Sequence, residues 1–242
     1  MADADINFYF DPVCPFAWIT SNWVRKVQAQ RHYTVDWRFI SLRLLNAHID
    51  YASHFPPEYE AGHNAGLHLL RAAASIRGEH GRGPMDAFYT ACGTRIFDAH
   101  RGTYMADGRD HRGTEDFLGP ILTELGLPAH HLAALDDESF DAEIQAETDE
   151  ALRLTGRDVG TPIIHFEPPH GVAFFGPVIS RVPGDDDAVV LWDHVIGLAG
   201  FPGFAELKRS LRERPQLRAF GVDVDEAGEP EDWHAGSRRT TT

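Results

Sequence analysis

Ile6-Asn7-Phe8-Tyr9-Phe10-Asp11-Pro12-Val13-Cys14-Pro15-Phe16-Ala17-Trp18 is the stretch that decides the fold. Residues 5–10 alternate and are rich in aromatics, as a strand is. Residues 16–31 read as a helix. Cys14 therefore stands at a strand-to-helix turn, where the first backbone N–H groups of a helix have no internal partner. Those donors, with the positive end of the helix dipole, favour a thiolate over a thiol. Pro15 suits the first helical position, because the N–H it lacks would be unpaired there anyway. The layout is that of a redox motif Cys-Pro-x-Cys in which Ala17 takes the place of the second cysteine. It predicts thiol chemistry at one sulfur.

Working outward, Thr34 to Leu42 is the next strand. Strand, helix and strand over some forty residues make a βαβ unit with parallel strands and a right-handed crossover. The pattern is then helical over Glu58–Arg77, Pro84–His100, Thr114–Leu125 and Ser139–Leu154, with Gly- and Arg-rich breaks at 78–83 and 101–113. Thr114-Glu115-Asp116 reads as a helix N-cap followed by acidic first-turn residues. Strand character returns at Pro162–Phe166 and Val172–Phe175 around the turn Pro168-Pro169-His170-Gly171. Helices are expected at Asp187–Ala199 and Phe204–Arg214. This order predicts an α/β chain: a thioredoxin-like sheet (βαβ…ββα) with a large all-helical insertion and helices on both faces. Residues 1–43 and 156–220 would form the thioredoxin-like domain and 44–155 the insertion. Residues 221–242 would be an acidic tail, disordered at Arg238 to Thr242.

Composition narrows the function classes. The chain has 242 residues, 43% of them hydrophobic, and a net charge of −15. That charge argues against nucleic acid, whose phosphates attract clustered Lys and Arg, and against anionic membrane surfaces. No apolar run approaches the roughly 20 residues of a membrane span. The acidic start Met1-Ala2-Asp3-Ala4-Asp5 has neither the basic nor the apolar region of a signal peptide, so a cytoplasmic protein is expected. Cys14 and Cys92 lie far apart, and a structural disulfide between them is not expected in a reducing compartment. Among 14 histidines, His63 and His68 are five apart and His130 and His131 are adjacent. No pair has zinc-finger spacing, so no metal is expected.

The Cys14 turn is answered by Gly160-Thr161-Pro162, just before the third strand. A proline there is a natural cis-peptide site, since cis bonds are largely confined to X–Pro. The turn would offer the N–H and C=O of Thr161 as a strand edge for substrate. The plainer reading of Pro162 is an ordinary strand-starting proline, and that of Cys14 an inert buried thiol. With Ala17 in place of a cysteine, a mixed disulfide at Cys14 must be resolved by an external thiol. Cys92, on an apolar helical stripe, reads as a packing residue. Phe16 is expected to be exposed beside Cys14 as an apolar substrate platform, and Trp18 to be core. Asn46, at the exit of the second strand, and Tyr59, opening the insertion, would lie at the cleft rim; on the residues alone, each reads as a cap or packing position.

The chain resembles the DsbA-like thioredoxin superfamily, and more closely the mycothiol-dependent nitroreductase family of actinobacteria. The likeness is carried by Phe10 to Pro15 with Trp18-Ile19-Thr20-Ser21, Ser41-Leu42 with Leu45-Asn46, and Tyr59-Glu60. It continues through Tyr89-Thr90-Ala91, Arg95-Ile96, Asp158 to Pro162, Ala173 to Val178 and Phe204 to Arg209, and so covers about residues 5–215. The resemblance implies a cytoplasmic reductase fed by mycothiol or another low-molecular-weight thiol, acting on disulfides or nitroaromatic compounds. By position, Cys14 matches the nucleophile and Pro162 the cis-proline. Pro15, Phe16, Asn46, Tyr59 and Thr161 fall at the substrate cleft. Two departures stand out: Ala17 in place of a resolving cysteine, and a hairpin lengthened by Glu167-Pro168-Pro169-His170.

Two other readings stay open. In kappa-class glutathione transferases and chromene-carboxylate isomerases the same fold carries Ser where Cys14 stands, and the helix end activates the thiol of a bound cofactor. A non-catalytic thioredoxin-like binding module is the third, since fold alone does not fix function. The sequence leaves a homodimer open.

Overall fold

The computed structural model describes residues 4–99, 110–208, 211–213, 215–222, 230–234 and 237–238. β1 (Ile6–Phe10) and β2 (Val35–Phe39) are parallel neighbours connected by α1 (Pro15–Arg31), with Phe8 opposite Trp37 and Phe10 opposite Phe39. β3 (Ile163–Phe166) lies antiparallel on the other side of β1, and the hairpin strand β4 (Ala173–Phe175) completes the order β2-β1-β3-β4. β1 is central, and all five of its residues are buried, as expected for a strand covered on both faces.

Between β2 and β3 the described chain is helical. α2 (Leu42–Leu45), α3 (Tyr51–His54), α4 (Glu58–His80) and α5 (Met85–Gly93) come first, with α5 running into a π-helical turn at Thr94–Asp98. α6 (Glu115–Leu125), 3₁₀ turns at Ala129–Asp136 and Glu138–Phe140, and α7 (Asp141–Thr155) follow. α8 (Asp185–Ala199) comes after β4. Among the described residues no helix is long and apolar enough to cross a membrane.

The helical segment shares its core with the sheet. Ile6, Phe8 and Phe10 join Trp23 of α1, Leu70 of α4, Cys92 of α5 and Leu118 of α6 in one cluster. Phe10 stacks on Tyr89 with ring centroids 3.9 Å apart, tying β1 to α5. Tyr9 points to the other face, where Ile40, Ile163 and Ala151 of α7 cover it. Side-chain alternation along β1 thus feeds two helical layers. Buried charge binds the layers to one another. Glu147 of α7 accepts from the Phe39 backbone N–H at 2.8 Å and from Arg77 of α4 at 3.0 Å. The Arg77 guanidinium also lies over the Phe39 ring, 3.8 Å from its centroid. A charge this buried needs such pairing to be tolerated.

Two expectations are corrected at the C-terminal end. No helix forms within the described part of Phe204–Arg214; Leu211–Glu213 is instead a short strand, β5. Pro202-Gly203 and Pro215 isolate the segment, and Leu207 is 76% exposed. A short helix with no buried apolar face has little to hold it. β5 takes its backbone partners from β6 (Pro230–His234), which pairs in turn with β7 (Ser237–Arg238). These strands stand where a structureless tail was expected; Arg239 to Thr242 lie outside the described residues.

Candidate active site

Cys14 is the N-cap of α1, with φ −83° and ψ 114°. Extended geometry at this position turns the side chain back over the first helical turn. The Ala17 N–H donates to Cys14 Sγ at 3.4 Å, and the Cys14 thiol donates to the Thr161 carbonyl at 3.5 Å. Thr161 is fixed from its other end, its Oγ1 donating to Tyr9 O of β1 at 3.2 Å. The Thr161–Pro162 peptide bond is cis. Thr161 and Pro162 are both buried, and Pro162 O accepts from the Gly176 N–H at 2.8 Å. A second segment, Gly176-Pro177-Val178, closes over the turn. Thr20 Oγ1 donates to Pro177 O at 2.9 Å, and Val178 packs against the cluster formed by Cys14, Phe16 and Ala17.

The environment of the sulfur corrects two expectations. Phe16 is 7% exposed and packed beside Cys14, so it is part of the wall and not an outward platform. Cys14 is itself 6% exposed. Burial pushes its thiol up to about 12, against the pull of the Ala17 and Phe16 N–H groups and with a further push from the Asp11 charge. The helix end does aim donors at the sulfur, but the loss of water outweighs them. In this closed arrangement Cys14 is a neutral thiol at physiological pH.

Asp11 organises the turn from beneath, and sequence reading passed over it. It is fully buried, with Oδ1 accepting from the Val13 N–H at 3.0 Å and Oδ2 from the Leu42 N–H at 2.8 Å. Burial pushes its carboxyl up to about 6, opposed by those two N–H groups and by Arg112. An Asp immediately before Pro12, with its side chain on a backbone N–H two residues on, is an Asx turn; that local signal was legible in the sequence. α4 crosses close by. A Cβ on Gly66 would stand 2.5 Å from Asp11 Oδ1 and 2.8 Å from Val13 Cγ2, so glycine is what lets the helix approach.

Asn46 and Tyr59 connect to this frame through α2 and α4. Asn46 caps α2, donating from Nδ2 to Leu42 O at 2.8 Å, and so supports the residue that donates to Asp11. Tyr59 stacks on Phe55, with centroids 5.4 Å apart and planes at 12°, and meets the His63 ring edge-on at 5.6 Å. It lies two turns before Gly66, on the same face of α4. His63 accepts from or donates to Tyr51 Oη at 3.0 Å, and burial, with Arg112 and Arg43, pushes it down to about 4. Pro15 opens α1 and is half-buried. Cys92 is fully buried in the main core, and burial holds its thiol well above the usual range.

Residues 13–209, from beside Cys14 past the end of α8, match the sequence pattern of the Rv2466c-like family, described as Mycothiol-dependent nitroreductase Rv2466c. The chain belongs to that family. Membership places it among thiol-dependent oxidoreductases that use a low-molecular-weight thiol as co-substrate. A relative named "Uncharacterized protein Rv2286c", from Mycobacterium tuberculosis (strain ATCC 25618 / H37Rv), is 32% identical over 205 residues, covering 84% of this chain and 81% of that protein. Among solved structures, a 2-hydroxychromene-2-carboxylate isomerase aligns with TM-score 0.49 and 12% identity, over 79% of this chain and 94% of that one. A putative protein-disulfide isomerase from Pseudomonas syringae aligns with TM-score 0.44 and 18% identity, over 79% and 92%.

Proposed function

We propose that this protein is a monothiol oxidoreductase in which Cys14 exchanges with mycothiol or another low-molecular-weight thiol to reduce disulfides or nitroaromatic compounds. The observation that carries the reading is the position of Cys14 Sγ between the Ala17 N–H and the Thr161 carbonyl. A thiol or disulfide approaching that sulfur meets main-chain donors at a helix end on one segment and a strand-entry peptide on another. Pro15, Phe16 and Pro162 would wall the sulfur, and Asn46 and Tyr59 would border the approach.

The exchange balances with one protein sulfur. Cys14 gives up its proton as a disulfide RSSR enters and attacks as the thiolate; the mixed disulfide Cys14–S–S–R forms and the proton leaves with RSH. A second thiol R′SH then attacks the R sulfur, giving RSSR′ and returning the Cys14 thiol. For a nitro compound, two thiols supply two electrons and two protons; the products are a nitroso compound, water and a disulfide. Ala17 offers no sulfur to shortcut this cycle, and Cys92 lies in the core. The same reading puts the protein in the cytoplasm, where reduced thiols are abundant.

Mass spectrometry of the protein incubated with mycothiol disulfide tests it. The expected result is one mycothiol adduct on Cys14, reversed by excess mycothiol and absent in Cys14→Ser. No adduct on Cys14 under conditions where the protein turns over its substrate would overturn the reading.

One observation favours a second reading, in which the helix end activates the thiol of a bound cofactor, as in a kappa-type transferase or isomerase. Burial keeps Cys14 protonated, and a protonated thiol can donate to an incoming thiolate as a serine hydroxyl would. Retained turnover in Cys14→Ser selects this second mechanism; abolished turnover selects the first.

A further inference from the structure

We propose that Glu79, His130 and His131, with His80 beside them, form a binding site for a divalent transition metal of the zinc type. These residues come from two elements, the last turn of α4 and the 3₁₀ turn Ala129–Asp136, which pack together. Among the described residues, the ligand atoms of Glu79, His130 and His131 lie within 4.8 Å of one another. His130 Nε2 is 2.7 Å from Glu79 Oε2, and His131 Nε2 is 3.8 Å from the same oxygen. His80 Nε2 stands 3.2 Å from His131 Nε2 and 3.6 Å from Glu79 Oε1. Zinc–nitrogen bonds of about 2.0–2.1 Å in a tetrahedron put ligand atoms about 3.3 Å apart. The observed separations bracket that value.

The orientation of His131 is the second, independent observation. Its side chain is completely buried, and its Nδ1 is 2.8 Å from Ser75 Oγ. In the tautomer whose Nδ1–H donates to the Ser75 hydroxyl, Nε2 presents a lone pair toward His80 and Glu79. A hydrogen bond that fixes the far nitrogen is how proteins orient a metal-binding imidazole. A surface ion pair would need only Glu79 and His130; it does not account for a buried imidazole held by Ser75 with its other nitrogen 3.2 Å from a second imidazole nitrogen. Two imidazoles and one carboxylate, with the His80 imidazole 3.2 Å from His131, suit zinc, nickel or copper over magnesium or calcium.

Metal-depleted, tag-free protein carrying Cys14→Ser, which removes the competing thiol, is titrated with Zn²⁺ by calorimetry and loaded with Co²⁺ for its visible spectrum. One equivalent of Zn²⁺ should bind, raise Tm, and be replaced by Co²⁺ with the intense absorption of a tetrahedral site. His130 and Glu79 are both half-exposed, so His130→Ala and Glu79→Gln leave the core intact. Each should weaken Zn²⁺ binding at least tenfold, and Ser75→Ala about tenfold through His131. His194→Ala on α8 should bind as the parent does. Absence of binding at micromolar Zn²⁺, or equal affinity in His130→Ala and Glu79→Gln, overturns the proposal. Neither result bears on Cys14 exchange.

Discussion

The sulfur of Cys14 lies 3.5 Å from the carbonyl oxygen of Thr161, a residue 147 positions further along the chain. The contact joins the start of α1 to the entry of β3, and burial raises the thiol held there. A neutral S–H can donate to a carbonyl oxygen, whereas a thiolate would meet it as a second negative centre. The structure therefore describes a resting thiol, buried and hydrogen-bonded.

The pH dependence of alkylation should reveal that state. In the substrate-free protein, the iodoacetamide rate at Cys14 should reach half its maximum above the free-thiol value of about 8.5, because burial pushes the thiol up. A midpoint below that value would contradict the closed arrangement. In Asp11→Asn the midpoint should move down, since the Asp11 charge is one of the groups raising the thiol.

Asp11 also predicts a pH effect on stability. Its carboxyl is raised from an ordinary 3.8 to about 6 in the fold. Such a group contributes stability below its unfolded value and loses it as pH rises through its folded one. Between about pH 4 and pH 6 the parent should lose stability on the order of 3 kcal/mol from this residue, at 1.36 kcal/mol per unit. Asp11→Asn should lack that slope, while paying about 1–3 kcal/mol at every pH for the backbone N–H it leaves unpaired. Urea denaturation from pH 4 to pH 8 measures both, and parallel curves for the two proteins would refute the assignment.

Two glycines of α4 should respond oppositely to alanine. At Gly66 a Cβ would collide with Asp11 and Val13, whereas at Gly78 nothing lies within 4 Å. Gly66→Ala should cost about 1–3 kcal/mol through overpacking and alter the alkylation rate of Cys14. Gly78→Ala should add about 0.5–1 kcal/mol through helix propensity. Thermal unfolding of the two variants checks the contrast, and equal Tm shifts would remove the argument for a close helix approach.

Restoring the missing sulfur should change the chemistry. Ala17 sits three residues after Cys14 in the first turn of α1, and its N–H already reaches Cys14 Sγ. Positions three apart in a helical turn bring their Cα atoms to about 5–6 Å, within disulfide range. Ala17→Cys should form an internal disulfide on mild oxidation, read as a loss of two hydrogens and of two titratable thiols. It should also take up less mycothiol. A variant that keeps both thiols free after oxidation would mean that the turn is not a redox motif with one cysteine removed.

Local pattern carried most of the fold. The aromatic alternation of Ile6–Phe10, the Cys-Pro turn and the 3.6-residue stripes of the insertion each occupy a single window, and the elements they predict are present. Phe204–Arg214 shows the limit of pattern: the periodicity is there, but Leu207 is 76% exposed and Leu211–Glu213 forms a strand. The site was legible in part. Cys14 and Thr161-Pro162 were marked by residue type and strand context, whereas Phe16 was assigned the wrong exposure because Val178 and Leu42, which cover it, come from distant segments.

Residue order by itself determined where a helix begins on a sulfur, which position lacks a second one, and that a strand-turn-proline element follows a helical stretch. Those features depend on a few neighbouring residues and survive without a fold. Tertiary structure decided the rest: that water is kept from Cys14, that Asp11 lies buried beneath it, and that Glu79 and His80 meet His130 and His131, with 51 positions between His80 and His131. Desolvation and convergence of ligand atoms are properties of packed surfaces, and no window of sequence contains both sides of a packing contact.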